Sequence, residues 1–326
     1  MNPLRLLTLN VWSGLDYQGL FRMGEYETAP ERQARYGALV ASLKALSPDV
    51  IAVNEANPLP SYLRRLAADL GYDQIHFPAL AGVRLGPLGL PVNLREGDGL
   101  LARRELGLRF TGRRRLSGGA VGRHASLNFA NATQVVAGRI RTGAGEIDLF
   151  CTHWTIAGGA ADYAAELGCR APTAEALPEE RRRLARAAHE ASAKRRLAEA
   201  AGTIAWMGEM IPPGRPAVLM GDLNAPPGSA EIALLAEAGW IDCFGHLHPD
   251  QEGATWDQQK NELLLRHYPA ARLAPGVRER LDYLFVNAIL GGASVREARV
   301  VLDGRDGRPM VSDHYGLLCE IDVTPG

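Results

Sequence analysis

Residues that can bind cations or transfer protons stand at the ends of several apolar runs in this sequence, or interrupt them. They are Asn10, Glu55, His153, Asp222, Asn224, Asp282, Asp313 and His314. A sheet presents the side chains at the ends of its strands to a common cleft. We therefore expect these residues to converge on one site.

The chemistry of this set matches the hydrolysis of a phosphodiester. Glu55, Asp313 and the amide of Asn10 offer hard oxygen ligands, which suit magnesium, or manganese as the alternative, better than zinc. Such hydrolysis needs a metal to neutralise developing charge, a base that positions water, and an acid or cation at the phosphoryl oxygens. The set supplies each of these parts.

One acidic residue of the set needs a partner. Asp282 lies in the apolar run LDYLF, residues 281–285, where an isolated carboxylate is costly to bury. A histidine imidazole is the natural candidate, because a carboxylate fixes the tautomer of the ring and supports its protonated form. We expect Asp282 to pair with a histidine.

The elements that must position these residues alternate irregularly between strands and helices. Apolar runs predict buried strands, and apolar residues at helical spacing predict helices. The strands include 4–10, 50–53, 147–154, 217–221, 281–286 and 316–322, and the helices include 61–70, 229–238 and a long one ending near 210. Many consecutive strands have no helix between them, which argues against a purely parallel sheet. No repeat or linker divides the chain, so we predict a single catalytic domain over 1–326.

Composition limits the class of partner. With 36 basic and 37 acidic residues the formal net charge is −1, which argues against a sequence-blind polyanion binder. A local basic groove is still open, and Arg113–Arg115 with Arg109 and Arg123 are its candidates. Nucleic acid is therefore a less favoured partner than a small phosphate ester.

The cysteines and the termini bear on the cellular compartment. Cys151, Cys169, Cys243 and Cys319 have no Cys-x-x-Cys spacing, so we expect free thiols. The apolar stretch at the N-terminus is too short for a secretory signal, and no run reaches the length of a transmembrane helix. We predict a cytoplasmic protein with no transmembrane segment.

Several short motifs occur in an order that resembles the endonuclease/exonuclease/phosphatase superfamily, which has a deoxyribonuclease-like fold. They are LTLNVW (7–12), PDVIAVNE (48–55), THW (152–154), GDLN (221–224), LDYLFV (281–286) and SDH (312–314). Each is weak alone, but together they span nearly the whole chain. One departure is Asn54, which stands where most relatives carry glutamine. The resemblance implies a four-layer α/β sandwich, in which two packed mixed β-sheets are flanked by helices.

The resemblance also implies a role for each residue of the set. Glu55 would be the principal metal ligand, helped by Asn10 and Asp313. Asp222 would orient or deprotonate the attacking water, and Asn224 would bind the phosphate or a second metal. His314, paired with Asp282, and His153 would contact the phosphoryl oxygens. No residue is assigned to binding the rest of the substrate.

Within the superfamily, the sequence is most similar to neutral sphingomyelinases and their bacterial relatives. This likeness is carried by NVW (10–12), GATWD (253–257) and GVR (276–278). We therefore predict a Mg²⁺-dependent phosphodiesterase acting on a phospholipid-type or other small substrate. The alternatives are a DNA or RNA nuclease of the repair type and a catalytically inactive binding module. Residues 157–178 are either a lid over the leaving-group pocket or a surface excursion.

Overall fold

The strands and helices follow one another along most of the chain. The computed structural model describes residues 3–16, 24–79, 84–85, 88–89, 96–117, 132–156, 179–267, 277–305 and 307–323. The strands are β1 (Leu4–Asn10), β2 (Leu15–Asp16), β3 (Gly24–Glu25), β4 (Val50–Ala56), β5 (Tyr72–Pro78), β6 (Arg84–Leu85), β7 (Leu88–Gly89), β8 (Gly97–Arg103), β9 (Arg109–Ser117), β10 (Thr133–Thr142), β11 (Gly145–His153), β12 (Ala217–Asp222), β13 (Ile241–Asp242), β14 (Trp256–Asp257), β15 (Arg278–Glu279), β16 (Asp282–Val286), β17 (Val295–Val301) and β18 (Gly316–Ile321). The helices are α1 (Ala29–Leu46), α2 (Ser61–Leu70), α3 (Glu179–Met210), α4 (Ala230–Glu237), α5 (Cys243–Leu247) and α6 (Glu262–His267), with short 3₁₀ turns at Arg104–Leu106 and Gly292–Ser294.

Two mixed sheets of six strands form the centre of the structure. Sheet 1 has the order β17-β18-β1-β4-β8-β5, and sheet 2 has the order β13-β16-β12-β11-β10-β9. Only β1 with β4, and β11 with β12, run parallel; the other neighbours in the two sheets are antiparallel. The prediction of mixed sheets is confirmed.

Side chains that alternate between the two faces of a strand pack against different layers of the structure. On β1, Leu6 belongs to the core that also holds Leu149 and Leu284 of sheet 2, whereas Leu7 belongs to a different core. That second core contains Leu39 of α1 and packs helices on the outer face of sheet 1. Because successive side chains of a strand point to opposite faces, one strand serves both cores.

Sheet 2 is covered in the same way. Phe150 and Leu219 pack with Met207 of α3 and Leu235 of α4 in a third core. The order is therefore helices, sheet 1, sheet 2, helices. The prediction of a four-layer α/β sandwich is confirmed.

Most predicted elements are present, and the misses are short. The sequence also predicts a strand near 106–111, but Leu106 ends a 3₁₀ turn that begins at Arg104, and β9 starts only at Arg109. The helices α5 and α6, of five and six residues, are too short to show a helical period in the sequence. The proposed lid over 157–178 and Arg123 lie outside the described residues.

Two further features of composition have structural counterparts. Cys151, Cys243 and Cys319 are buried free thiols, as the sequence predicts, while Cys169 falls outside the described residues. Among the helices of the described ranges, none combines the length and the apolar character needed to cross a membrane.

Candidate active site

A row of polar residues crosses sheet 2 at one end of its strands. Gln134 of β10 lies opposite His153 of β11, His153 lies opposite Asp222 of β12, and Asp222 lies opposite Asp282 of β16. Residues opposite one another on paired strands present their side chains to the same face. The register of four strands thus brings residues from distant parts of the chain into one line.

Sheet 1 adds Glu55 through an irregularity in β4. The pairing of β4 with β8 is interrupted by a register shift between Val53 and Ala56, and Glu55 has a φ of 57°. A bulge of this kind re-aims a side chain, and a positive φ at a non-glycine residue is uncommon. The backbone N–H of Ser13 donates to Oε2 of Glu55 at 3.1 Å. The second oxygen of Glu55, Oε1, faces Asn10.

Asn10 joins the acidic groups of the two sheets. Its Nδ2 donates to Oε1 of Glu55 at 2.9 Å and to Oδ2 of Asp222 at 3.0 Å. Its Oδ1 accepts the backbone N–H of Trp12 at 3.0 Å, which fixes the orientation of the amide because an N–H only donates. Asn10 therefore bridges two carboxylates here, and its role as a metal ligand stays a prediction.

Asp222 lies where the polar groups converge. Its Oδ2 is 3.6 Å from Nε2 of His153 and 3.7 Å from Nε2 of His314, and the residue is 1% exposed. Its Oδ1 accepts the backbone N–H of Asn224 at 3.0 Å, while Nδ2 of Asn224 donates to the carbonyl of Trp154 at 3.1 Å. The carboxylate is thus held on one side and faces two imidazoles on the other.

The approach to Asp222 requires a glycine at position 221. Gly221 has a φ of 144°, and a Cβ there would lie 1.9 Å from the carbonyl oxygen of Thr152 on the neighbouring strand. Any side chain would push β11 and β12 apart. Glycine therefore lets His153 and Asp222 stay in register.

His314 is paired with Asp282 in the interior. Nδ1 of His314 lies 2.9 Å from Oδ2 of Asp282, and neither side chain is more than 5% exposed. Burial alone would lower the pKa of His314, but the carboxylates of Asp282 and Asp222 raise that pKa well above its usual value. The histidine expected beside Asp282 is therefore His314, and the two carboxylates favour the cationic form of its ring.

Thr255 supports this pair from a neighbouring loop. Its Oγ1 accepts the backbone N–H groups of Leu281 and Asp282 at 3.0 and 3.1 Å. The ring of Trp256 packs edge-on against His314, with centroids 4.9 Å apart. These contacts fix where the His314 imidazole can lie.

His153 forms the opposite wall of the site, beside Glu96. Burial would lower the pKa of His153, but Asp222, Glu55, Asp98 and Glu96 raise it to about 8. One ligand atom each from Glu55, Glu96 and His153 lie within 4.8 Å of one another. Sequence reasoning missed Glu96 because it falls in a glycine- and proline-rich segment interpreted as a loop.

Asp313 completes the acidic part of the site. Burial raises its pKa to about 7, with a further contribution from Glu55 that His314 opposes. A cation bound near either carboxyl group would relieve this repulsion. Glu55 and Asp313 supply carboxylate oxygens, the donors that Mg²⁺ and Mn²⁺ prefer. The residues present therefore fit a hard divalent cation.

The structure joins Asn10, Glu55, Asp222 and Asn224 by hydrogen bonds and places His153, His314 and Asp282 around Asp222. Asp313 reaches this group through Ser312, whose Oγ lies 3.3 Å from Oδ1 of Asp313 and donates to the carbonyl of Asn10. Asp222, Asp282 and His314 also place ligand atoms within 4.8 Å of one another, next to Asn10. A metal could therefore be held from either side of Asn10. The sequence alone did not reveal these two groups.

The family described as Endonuclease/Exonuclease/phosphatase family matches residues 7–314. No curated protein sequence matches the chain. At the identities given below, structural likeness shows the fold alone.

Three solved structures illustrate this likeness. D. rerio TDP2 complexed with single strand DNA product is 14% identical, with 98% of this chain and 99% of that chain covered and a TM-score of 0.59. The human Nocturnin catalytic domain with bound sulfate anion is 16% identical, with coverages of 98% and 93% and a TM-score of 0.59. The endonuclease/exonuclease/phosphatase family protein from Leptotrichia buccalis C-1013-b is 17% identical, with coverages of 98% and 99% and a TM-score of 0.59.

Proposed function

Because this chain belongs to the endonuclease/exonuclease/phosphatase family, we propose that it is a metal-dependent phosphodiesterase. The observation that carries the proposal is the convergence on Asp222, where Asn10, His153 and His314 all lie within 3.7 Å of one carboxylate oxygen. Both ends of the chain contribute to sheet 1, since β1 pairs with β18. This pairing supports a single catalytic domain.

Glu55 would hold the metal together with Asp313, and Asn10 would hold Glu55 in place. A bound Mg²⁺ or Mn²⁺ would neutralise charge on the phosphoryl oxygens. Glu55 is prepared for this role because the N–H of Ser13 and the amide of Asn10 fix both of its oxygens. The bulge in β4 aims the side chain toward the centre of the site.

Asp222 would orient and deprotonate the attacking water. Its Oδ1 accepts the N–H of Asn224 and its Oδ2 accepts Nδ2 of Asn10, so both oxygens are held in place and a proton would be received by a remaining lone pair of the carboxylate. Fixed geometry of this kind lowers the barrier, because a base must lie within hydrogen-bonding reach of the proton that it takes.

His314 and His153 would stabilise the negative charge that develops on the phosphoryl group. The neighbouring carboxylates raise the pKa of both imidazoles, which favours their cationic forms. Asn224 donates one N–H to Trp154, and its remaining amide hydrogen is a candidate donor to a phosphoryl oxygen. Preorganised donors of this kind usually make the largest contribution to catalysis.

The substrate we favour is a phospholipid-type or other small phosphodiester, as in the sphingomyelinase-like branch. Of the arginines considered for a basic groove, Arg109 and Arg114 form ion pairs with Glu146 and Glu209. Such pairs reduce the charge available to a long phosphate backbone. A nuclease is the second candidate, because the similar D. rerio TDP2 structure contains a single strand DNA product.

A substrate panel tests this proposal. The purified protein would be given bis-p-nitrophenyl phosphate, sphingomyelin, abasic duplex DNA and plain duplex DNA, with Mg²⁺ or with a chelator. We expect Mg²⁺-dependent hydrolysis of the small diester. Cleavage of DNA, with an affinity for DNA that falls steeply as salt is added, would instead favour the nuclease if sphingomyelin is not hydrolysed. No hydrolysis of any diester would contradict the proposal.

A further inference from the structure

A buried carboxylate beneath the site, Asp98, ties the two sheets together. Asp98 lies on β8 of sheet 1 and is 1% exposed. Its Oδ1 accepts from Nδ2 of Asn54 on β4 at 2.8 Å, and its Oδ2 accepts from Nε2 of Gln134 on β10 at 2.9 Å. Neither Asn54 nor Gln134 has measurable exposure. Asp98 is therefore bound by a donor from each sheet.

The side-chain amides of Asn54 and Gln134 each accept a hydrogen bond at their oxygen, and this donor fixes the orientation of the amide. The backbone N–H of Asp222 lies 3.0 Å from Oδ1 of Asn54, and Nε of Arg113 lies 2.6 Å from Oε1 of Gln134. An N–H and a guanidinium can only donate, so each amide must turn its oxygen to them and its NH₂ to Asp98. Two chains of hydrogen bonds, one starting at Asp222 and one at Arg113, therefore end on Asp98.

The form of Asp98 that satisfies this arrangement is the ionised one. A protonated carboxyl would need an acceptor for its O–H, and both of its oxygens face NH₂ groups. Ionised Asp98 accepts from both neighbours without conflict.

We propose that Asp98 is a positioning residue for phosphodiester hydrolysis, which acts by holding the Asn54 amide that accepts the backbone N–H of Asp222. This inference rests on the proposed function, because it assigns Asp222 to the reaction. Asn54 also precedes Glu55 directly in the chain. One amide thus links the backbone of the base to the strand that carries the principal metal ligand, and Asp98 holds the NH₂ end of that amide in place.

The substitution Asp98→Asn tests the proposal with little change in size. An amide at position 98 offers one acceptor to two NH₂ donors, so one of its neighbours must turn away. We expect kcat for bis-p-nitrophenyl phosphate to fall by roughly 10- to 100-fold, as for other residues that support a ligand from behind. KM should change little, because Asp98 does not touch the substrate.

A second substitution should restore the activity. In Asp98→Asn/Gln134→Glu, the new glutamate would accept from the amide at position 98 and from Arg113, and the amide oxygen at position 98 would again face Asn54. The double variant gives up the hydrogen bond that Gln134 donates to the carbonyl of Phe77, as does Gln134→Glu alone. Gln134→Glu alone places two carboxylates against each other and serves as the matched control. We expect both single variants to be impaired in kcat and the double variant to recover at least tenfold over Asp98→Asn.

Exchange of the Asp222 amide hydrogen, followed by NMR, provides a readout that does not depend on activity. We expect faster exchange in folded Asp98→Asn than in the wild type, and slower exchange again in the double variant. A kcat for Asp98→Asn within about twofold of wild type, or a double variant no better than the single ones, would overturn the proposal. If the wild type hydrolyses no diester, the proposed function fails, and unchanged Asp222 exchange would separately overturn the positioning role.

Discussion

Nδ1 of His314 lies 2.9 Å from Oδ2 of Asp282, and the opposite ring nitrogen, Nε2, lies 3.7 Å from Oδ2 of Asp222. The carboxylate of Asp282 therefore orients the ring so that its Nε2 faces the carboxylate of Asp222. A pair in which one member orients the other should behave as a unit in kinetics. The geometry thus leads to a prediction about combined substitutions.

We predict that the losses in Asp282→Asn and His314→Ala are not additive. Each single variant should lose about 100-fold or more in kcat/KM, since each removes the same oriented donor. The double variant should be close to the worse single variant, measured on bis-p-nitrophenyl phosphate with saturating Mg²⁺. Losses that multiply in the double variant would show that the two residues act independently.

Thr255 should contribute to stability through its hydroxyl group. Thr255→Val keeps the shape of the side chain but leaves the buried N–H groups of Leu281 and Asp282 without an acceptor. We expect a loss of about 1–3 kcal/mol in the free energy of unfolding for each orphaned group, measured by urea denaturation. Thr255→Ser retains the hydroxyl and is the matched control. Equal stability of the two variants would contradict this account.

The sequence predicted the parts of the site that depend on local pattern. The proposed catalytic residues end apolar runs such as β1 and β12, so their placement at strand ends could be anticipated from alternation and burial. Asn54 and Asp98 could not be anticipated, because their contact depends on how β4 pairs with β8. Without knowledge of this strand pairing, the sequence shows only an asparagine and an aspartate 44 positions apart.

The backbone geometry was also beyond the reach of the sequence. Glu55 and Asn224 both have a positive φ, at 57° and 49°. Such conformations are rare for residues other than glycine and are imposed by the surrounding structure. The sequence predicts Glu55 and Asn224 as site residues from their position after apolar runs, but the bulge that re-aims the side chain of Glu55 is a tertiary effect.

Glu31 should make the stability of the protein depend on pH in the acid range. Its carboxylate accepts the backbone N–H and the hydroxyl of Thr28 at the start of α1 and pairs with Arg266 of α6. The backbone and hydroxyl of Thr28, followed by Arg266, lower the pKa of Glu31 from 4.5 to about 2. Because the folded pKa is lowered, its stabilising contribution is complete above pH 4.5 and is lost as pH falls toward 2.

The comparison of wild type with Glu31→Gln tests whether the stabilising contribution of Glu31 is lost as the pH falls. The difference in the free energy of unfolding between the two proteins should be largest above pH 4.5 and should shrink as the pH is lowered. Carbon-13 NMR of the Glu31 carboxyl group gives its pKa directly. A titration midpoint at or above the ordinary value of 4.5 would contradict the prediction.

The metal dependence of bis-p-nitrophenyl phosphate hydrolysis in wild type and Glu55→Gln tests the central claim most directly. Glu55→Gln keeps the size of the side chain but removes the charge that holds a hard cation. Glu297→Gln, which changes an exposed glutamate on β17, is the matched control. We predict that the wild type and the control hydrolyse the diester in proportion to bound Mg²⁺ and stop when it is chelated. Glu55→Gln should lose about 100-fold or more in kcat/KM and need more Mg²⁺ for half-maximal rate. Unchanged activity and unchanged Mg²⁺ dependence in Glu55→Gln would contradict the account.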